Sequence, residues 1–254
     1  MGLFDFLKNK SKQADTIIQQ KIDRSECEIN KTQIIVDLFA VSKEERDDSW
    51  TKSFYENVRN ASFACGNPQI LNGPDGFPYF ILKNPEPYKP FESFCIENMK
   101  DDFLLNKGFG VVINPSDTSA DWVFSYGDII NLYINKQFYI KTNDVNIENE
   151  VTIKKDEKVL LAQPSETFLP SKARKNLRVF LQSIGIKEPK IMMLCRTIEG
   201  QVIQELAFNI FREDFQTTEQ LNFCLKQISW FLPRQYVVLS LPKDSNFNSN
   251  FADL

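Results

Sequence analysis

The chain of 254 residues contains no histidine. Imidazole is the general base of Ser-His-Asp and Cys-His hydrolases and a common zinc ligand. Its absence therefore excludes both hydrolase classes, together with zinc sites built from Cys and His or from His and carboxylates. The GxxxxGK[ST] and GxGxxG spacings of phosphate-binding loops are also missing. We predict a protein that is not an enzyme and that holds no metal and no cofactor.

Long apolar runs and an excess of positive charge are missing as well. No run approaches the roughly 20 apolar residues that cross a bilayer, so we predict no transmembrane segment. The chain has 30 basic and 34 acidic residues, a net charge of −4, which disfavours nucleic acid as a partner because phosphate backbones attract basic surfaces. Residues 1–12 are apolar and then basic, a pattern that allows weak peripheral contact with a membrane.

The cysteines do not form a recognisable framework. Their number is odd, five, and no two are spaced as CxxC. Disulfide-rich proteins are typically small secreted chains with an even number of cysteines. We therefore expect a cytoplasmic location and five reduced thiols. These are Cys27, Cys65, Cys95, Cys195 and Cys224.

The composition that is present, 42% apolar and 25% charged, is typical of a protein with a packed core. Helix-like and strand-like patterns are mixed along the chain, and they predict an α+β fold with two domains. The predicted parts are an N-terminal helical segment at 1–29, a mixed α+β domain at 30–141, a linker at 142–157, a second domain at 158–242 and a flexible tail at 243–254.

The first domain combines helices with short strands. A helical pattern begins at Asn30, and the capping box of Ser42 and Glu45 predicts a second helix over 43–61. The apolar pair Ile70-Leu71 and the apolar run from Phe77 to Leu82, on either side of the turn at 73–76, predict a β-hairpin.

Prolines define two further features of this domain. Pro78 cannot donate a hydrogen bond to a neighbouring strand, so we expect it at an edge or a bulge. Pro85, Pro87 and Pro90 predict an extended connector after the hairpin.

The second domain has the element order βαββαβ, which is the split βαβ pattern of ferredoxin-like domains. Two right-handed crossovers would place its first and third strands at the centre of a four-stranded sheet, with both helices on one face. The predicted strands are 159–161, 191–195, 202–211 and 236–241, and the helices begin after the caps Ser171 and Thr217.

The segment Val159-Leu160-Leu161-Ala162-Gln163-Pro164, followed by a spacer to Pro170 and then by a helix and a strand pair, resembles a known family. It is similar to the C-terminal domain of the SseB-like (enhanced serine sensitivity) bacterial proteins, over residues 158–242. The resemblance implies a non-enzymatic accessory or interaction role, without catalytic residues. The stretches 73–79 and 121–128 resemble segments of bacterial cytosolic proteins that carry no assigned activity.

The first candidate binding site is the aromatic segment around Trp122, Phe124 and Tyr126. Alternate residues of a strand share a face, so these rings would form a ledge beside the carboxylate of Asp128. The ledge suits a peptide or a small ligand. In the structural alternative, Trp122 and Phe124 belong to the core, and Asp128 is the N-cap of the next helix.

The second candidate is a cluster of four basic residues on the predicted helix at 172–184. They fall on the arc opposite its apolar stripe and would dock an acidic partner, whereas the structural alternative is a solvated face. The four residues are Lys172, Arg174, Lys175 and Arg178.

Three functions follow from these features. The first is a cytoplasmic accessory protein that binds a protein partner without catalysis. The second is an immunity protein that neutralises a bacterial toxin. The third is a small-ligand sensor or enzyme that uses the Asp121–Asp128 region, with Tyr126 and Asp128 in a concave, partly buried cleft. The partner, the pathway and the oligomeric state are open at this point.

Overall fold

The computed structural model describes residues 27–140, 159–198 and 201–254. The chain divides into two compact units, Met1–Phe138 and Tyr139–Leu254. The membrane contact predicted for residues 1–12 and the linker predicted at 142–157 lie outside the described residues, as does most of the helical segment 1–29. No helix among the described residues has both the length and the apolar character needed to span a bilayer.

The first unit contains a four-stranded mixed sheet with the order β1-β2-β3-β4. Strands β1 and β2 are antiparallel, β2 and β3 are parallel, and β3 and β4 are antiparallel. A π-helical turn at Lys100–Leu105 continues α3. The elements are α1 (Ile29–Phe39), α2 (Asp48–Val58), β1 (Ala64–Asn72), β2 (Pro78–Lys83), α3 (Ile96–Met99), β3 (Gly110–Ile113), β4 (Trp122–Phe124) and α4 (Tyr126–Asn135).

The helix α2 begins later than the sequence predicts. The capping box expected from Ser42 and Glu45 forms only a 3-10 turn at Lys43–Glu45. Asp47 is the actual N-cap, because its carboxylate accepts a hydrogen bond from the Trp50 amide at 2.7 Å. The predicted start at residue 43 is therefore wrong, and the helix starts at Asp48.

The hairpin between β1 and β2 forms around the predicted turn. The Gly73 amide donates to the Phe77 carbonyl at 2.8 Å, and Gly76 adopts φ 82°, a conformation that residues with a Cβ rarely adopt. Pro78 is the first residue of β2 and pairs with Asn72. A proline is tolerated there, although β2 itself is an inner strand rather than an edge.

The second unit contains a sheet with the order β5-β6-β7-β8, and a short strand β9 also pairs with β6. The β5/β6 and β6/β7 pairs are antiparallel, and the β7/β8 pair is parallel. The elements are β5 (Val159–Ala162), α5 (Ser171–Ser183), β6 (Lys190–Ile198), β7 (Gln201–Phe208), α6 (Thr218–Ser229), β8 (Val237–Leu239) and β9 (Ala252–Asp253).

The predicted element order βαββαβ is present, but the prediction of a ferredoxin-like strand order is wrong. In the ferredoxin-like arrangement the first and third strands are neighbours at the centre of the sheet, whereas here the strands lie in sequence order. The cause lies in the connection through α5. Ala162, the last residue of β5, pairs with Met193 near the start of β6. The connection thus begins and ends at the same end of the sheet, and β5 becomes the antiparallel neighbour of β6.

The tail at 243–254, predicted to be flexible, is folded onto this sheet. A 3-10 helix spans Asn246–Asn250, and β9 pairs with the start of β6. Phe247 and Phe251 pack against an apolar cluster of the sheet. The prediction of a flexible tail, made from its polar composition, is wrong. These two rings and the buried Leu254 hold the tail in place.

The expectation that all five cysteines are reduced is also wrong. Cys27, ahead of α1, and Cys95, at the start of α3, form a disulfide with a Cα–Cα distance of 5.4 Å. Cys65, Cys195 and Cys224 are free thiols. The two bonded residues are 68 positions apart, and only the tertiary fold brings them together.

Candidate functional site

The aromatic segment at 122–126 belongs to the core of the first unit. The ring of Trp122 lies 4.5 Å from Phe54 and 5.6 Å from Trp50, both on α2, measured between ring centroids. Phe124 is buried and stacks on Phe138 at 4.1 Å. These aromatic side chains fill the space between β4 and α2, and Trp122 is half-buried.

Tyr126 and Asp128 do not complete a ledge, because β4 ends at Phe124 and α4 begins at Tyr126. The Tyr126 side chain is fully buried, and its hydroxyl donates to the Leu105 carbonyl at 2.8 Å. Asp128 is almost fully buried as well. The concave, partly buried cleft predicted for the sensor or enzyme alternative is not formed by these two side chains, because both are buried and have structural hydrogen bonds.

The carboxylate of Asp128 has a structural role at the start of α4. It accepts a hydrogen bond from the Ser125 amide at 2.9 Å, and the Ser125 hydroxyl accepts one from the Asp128 amide at 3.1 Å. This pair is a capping box in which Ser125 is the N-cap. The prediction that Asp128 itself is the N-cap is wrong by three residues, because Asp128 occupies the N3 position.

Among the four basic residues of α5, Arg174 is occupied within its own unit. Its Nε donates to the Leu169 carbonyl at 2.9 Å, and its Nη2 donates to the Pro164 carbonyl. Burial lowers the pKa of Arg174 from its ordinary value, and the charge of Glu166 opposes that change. Arg174 therefore holds the loop between β5 and α5 rather than facing a partner.

The remaining basic residues differ in exposure. Lys172 is half-buried, whereas Lys175 and Arg178 are exposed and lie one helical turn apart, next to the partly exposed Val179. The opposite side of α5 is buried in the core, so the arc with Lys175 and Arg178 faces away from it. The buried residues are Ala173, Leu177, Phe180 and Leu181.

Lys175 and Arg178 differ from two lysines elsewhere whose charges are paired with a carboxylate. Lys31 is paired with Glu28 at 2.8 Å, and Lys243 with Asp214 at 3.0 Å. Within the described ranges, no carboxylate oxygen lies within 4.0 Å of Lys175 or Arg178. Two neighbouring cations beside an apolar side chain can bind a carboxylate, bidentately in the case of arginine.

Two ionic clusters lie inside the units. In the second unit Arg196 on β6 and Glu205 on β7 form a bidentate pair with both N···O distances at 2.6 Å, and both side chains are almost fully buried. Burial with a complementary charge and two hydrogen bonds makes this a structural pair that links the two strands.

In the first unit Glu97 on α3 lies between Arg59 and Lys100, with Arg59 Nε at 2.6 Å. Burial acts to raise the pKa of Glu97, but hydrogen bonds and charges from Lys100 and Arg59 outweigh it, so the pKa is lowered. The carboxylate is held in its ionised form by its neighbours.

The sequence interpretation missed one exposed aromatic residue, Tyr88. The connector predicted to be extended contains a turn in which the Lys89 amide donates to the Glu86 carbonyl at 3.2 Å. Tyr88 lies at its tip with a relative exposure of 105% and φ 62°. The signal was present in the sequence, because proline is favoured at the second position of such a turn and Pro87 occupies it.

Comparison of the chain with protein-family models, with curated proteins and with solved structures gives no match. The resemblance to the SseB-like domain accordingly stays a prediction.

Proposed function

We propose that the protein is a non-enzymatic accessory protein that binds a protein partner, and that the exposed arc of α5 is part of its binding surface. The observation that carries the proposal is the pair Lys175 and Arg178, exposed beside Val179 without a carboxylate partner in the described residues. The resemblance to SseB-like proteins supports the same role.

The chemistry of the arc suits an acidic protein surface. Arginine and lysine at the rim of an interface steer an oppositely charged partner, and an adjacent apolar side chain adds contact area that excludes water. Nucleic acid is not the proposed partner, because the whole chain carries a net charge of −4 and the arc offers two exposed cations rather than a continuous basic stripe.

The test is charge reversal on α5. The tagged chain is used to capture proteins from a native extract, the captured partner is purified, and its Kd is measured by calorimetry for wild type and for the double variant Lys175→Glu/Arg178→Glu. We expect binding to weaken about tenfold or more, and to weaken with added salt in the wild type.

The matched control is Lys52→Glu/Lys83→Glu, which reverses two exposed cations of the first unit. It should leave Kd within about threefold of wild type. Equal losses in both variants, or no loss in the α5 variant, would overturn the assignment of the arc. A robust turnover in a metabolite screen would overturn the non-enzymatic role.

The compartment is a separate proposal. The expectation of reduced thiols led to the cytoplasm, but disulfides are rare in reducing compartments, and Cys27 and Cys95 are bonded. We propose an environment that keeps this pair oxidised. Rapid alkylation of the protein in its native cells, followed by mass spectrometry, should leave Cys27 and Cys95 unlabelled, whereas labelling of both would contradict it.

A further inference from the structure

Tyr88 is the most exposed aromatic residue of the described chain, in the connector between β2 and α3. Its side chain has a relative exposure of 105%. No hydrogen bond, ion pair or ring contact joins it to the rest of the described residues. Single exposed apolar side chains are common on protein surfaces, so this exposure carries weight only together with the backbone conformation of Tyr88.

The backbone at Tyr88 is in an unfavourable conformation. Its φ of 62° lies in the left-handed region, which glycine and asparagine adopt far more readily than an aromatic residue. Such strain persists only where the surroundings enforce it, and it often accompanies function. Folding alone therefore gives no reason for tyrosine at this position.

The turn around Tyr88 is well restrained. Pro87 occupies the second position of the turn, and Tyr88 has the positive φ of the third, as in a type II turn. The Lys89 amide donates to the Glu86 carbonyl at 3.2 Å, and the Lys89 and Glu86 side chains form an ion pair across the turn. Pro85 and Pro90 restrict the chain on either side.

We propose that Tyr88 is an anchor residue that inserts into an apolar pocket of a folded protein partner. A restrained turn loses little conformational entropy on binding, and tyrosine offers a large contact area with only two side-chain torsions. Tyrosine is also among the residues that dominate the energy of protein interfaces.

The surroundings of Tyr88 favour a protein over a membrane or a nucleic acid. Glu86 and Glu92 flank the turn, and Lys89 is paired with Glu86. Anionic lipid and phosphate backbones repel such carboxylates, whereas a protein pocket with a polar rim accommodates them. Phe91, partly exposed three residues later, extends the apolar contact.

This inference rests on the proposed function in that the partner is a protein, but it does not rest on the α5 arc. The first experiment places the photocrosslinker p-benzoylphenylalanine at position 88 of the full chain in its native cells. The control places it at Phe223, an exposed ring on α6. We expect a discrete adduct with another protein at position 88 and none of the same mass at position 223.

The second experiment uses the trapped protein in purified form and compares Tyr88→Asn with wild type. Asparagine accepts the left-handed φ, so the variant should unfold at the same or a higher temperature, while its Kd for the partner rises about tenfold or more. Tyr88→Phe, which keeps the ring, should bind within about fivefold of wild type.

The outcomes separate the two proposals. An adduct formed only with a second copy of this chain, with lipid or with nucleic acid would overturn the inference, as would unchanged binding by Tyr88→Asn. Unchanged binding there, together with lost binding by Lys175→Glu/Arg178→Glu, would overturn the role of Tyr88 alone. If no protein is trapped at position 88 and none is captured by the whole chain, both proposals fail.

Discussion

Two segments of the first unit that contain aromatic residues differ in how far their rings are buried. The segment 122–126 is rich in aromatic residues and is packed against α2, with Phe124 and Tyr126 buried. The connector 85–91 has fewer rings, and its Tyr88 is entirely exposed. The rings of the first segment lie against the aromatic residues of α2, which cover most of their surface. A single ring among prolines on a tight turn has nothing within its own chain to cover it.

The largest expected effect separates these two segments by stability. Phe124→Ala should lower the free energy of unfolding by about 3–5 kcal/mol, because it leaves a cavity beneath Trp122 and Phe138. Tyr88→Ala should change it by less than about 1 kcal/mol. Urea unfolding followed by circular dichroism measures both values. A large loss in Tyr88→Ala with little loss in Phe124→Ala would reverse the comparison.

The same contrast applies to charged residues of the second unit. Glu205→Gln should cost about 3–5 kcal/mol, because it leaves the buried Arg196 without its counter-charge. Lys175→Gln, on the exposed arc of α5, should stay within about 0.5 kcal/mol of wild type. Chemical unfolding of both variants tests this. Similar small effects in the two variants would show that the Arg196–Glu205 pair is open to water.

The disulfide gives a smaller effect on the first unit. Cys27→Ser should lower its stability by about 2–4 kcal/mol, because the bond closes a long loop that otherwise enlarges the unfolded ensemble. Cys65→Ser, which replaces a free thiol, serves as the control and should have the smaller cost. The prediction fails if a reducing agent leaves the wild-type unfolding midpoint unchanged.

Acid sensitivity is the smallest effect and compares the half-buried carboxylate of Glu97 with an exposed one. The pKa of Glu97 is lowered in the folded state, so its contribution is present above the ordinary pKa of glutamate and is lost as pH falls through the lowered value. Glu97→Gln should therefore flatten the loss of stability below about pH 4.5.

The control for that measurement is Glu86→Gln, which removes an exposed carboxylate from the turn at 86–89. Unfolding free energies measured between about pH 3 and 7 decide the matter. If both variants show the wild-type acid limb, Glu97 does not contribute through its ionised form.

Local patterns predicted much of the secondary structure. The apolar period from Asn30 predicted α1, and the turn at 73–76 predicted the β1/β2 hairpin. These elements depend on nearby residues, so a window of the sequence contains the necessary information. The order βαββαβ of the second unit was predictable for the same reason.

Features that depend on distant residues were not predictable. The strand order of the second sheet depends on the end of the sheet to which α5 returns the chain, and the Cys27–Cys95 bond depends on the tertiary fold. In the tail, the composition concealed Phe247 and Phe251, whose partners lie on the sheet.

In the candidate site, too, features set by nearby residues were predictable and features set by distant contacts were not. Lys175 and Arg178 were predicted to be exposed, because helical periodicity places them opposite the apolar stripe of α5. Arg174 was assigned to the same surface, but it reaches back to the loop at Pro164. Tyr88 was missed because prolines were interpreted as extended chain, whereas Pro87 also begins a turn.

Tyrosine nitration by tetranitromethane, read by peptide mass spectrometry with and without the purified partner, tests the central claim most directly. We predict that Tyr88 is nitrated much faster than the buried Tyr126 in the isolated protein and is protected when the partner is bound. A Tyr88 that resists nitration in the isolated protein, or that stays equally reactive in the complex, would contradict the claim that this chain acts through its exposed turn.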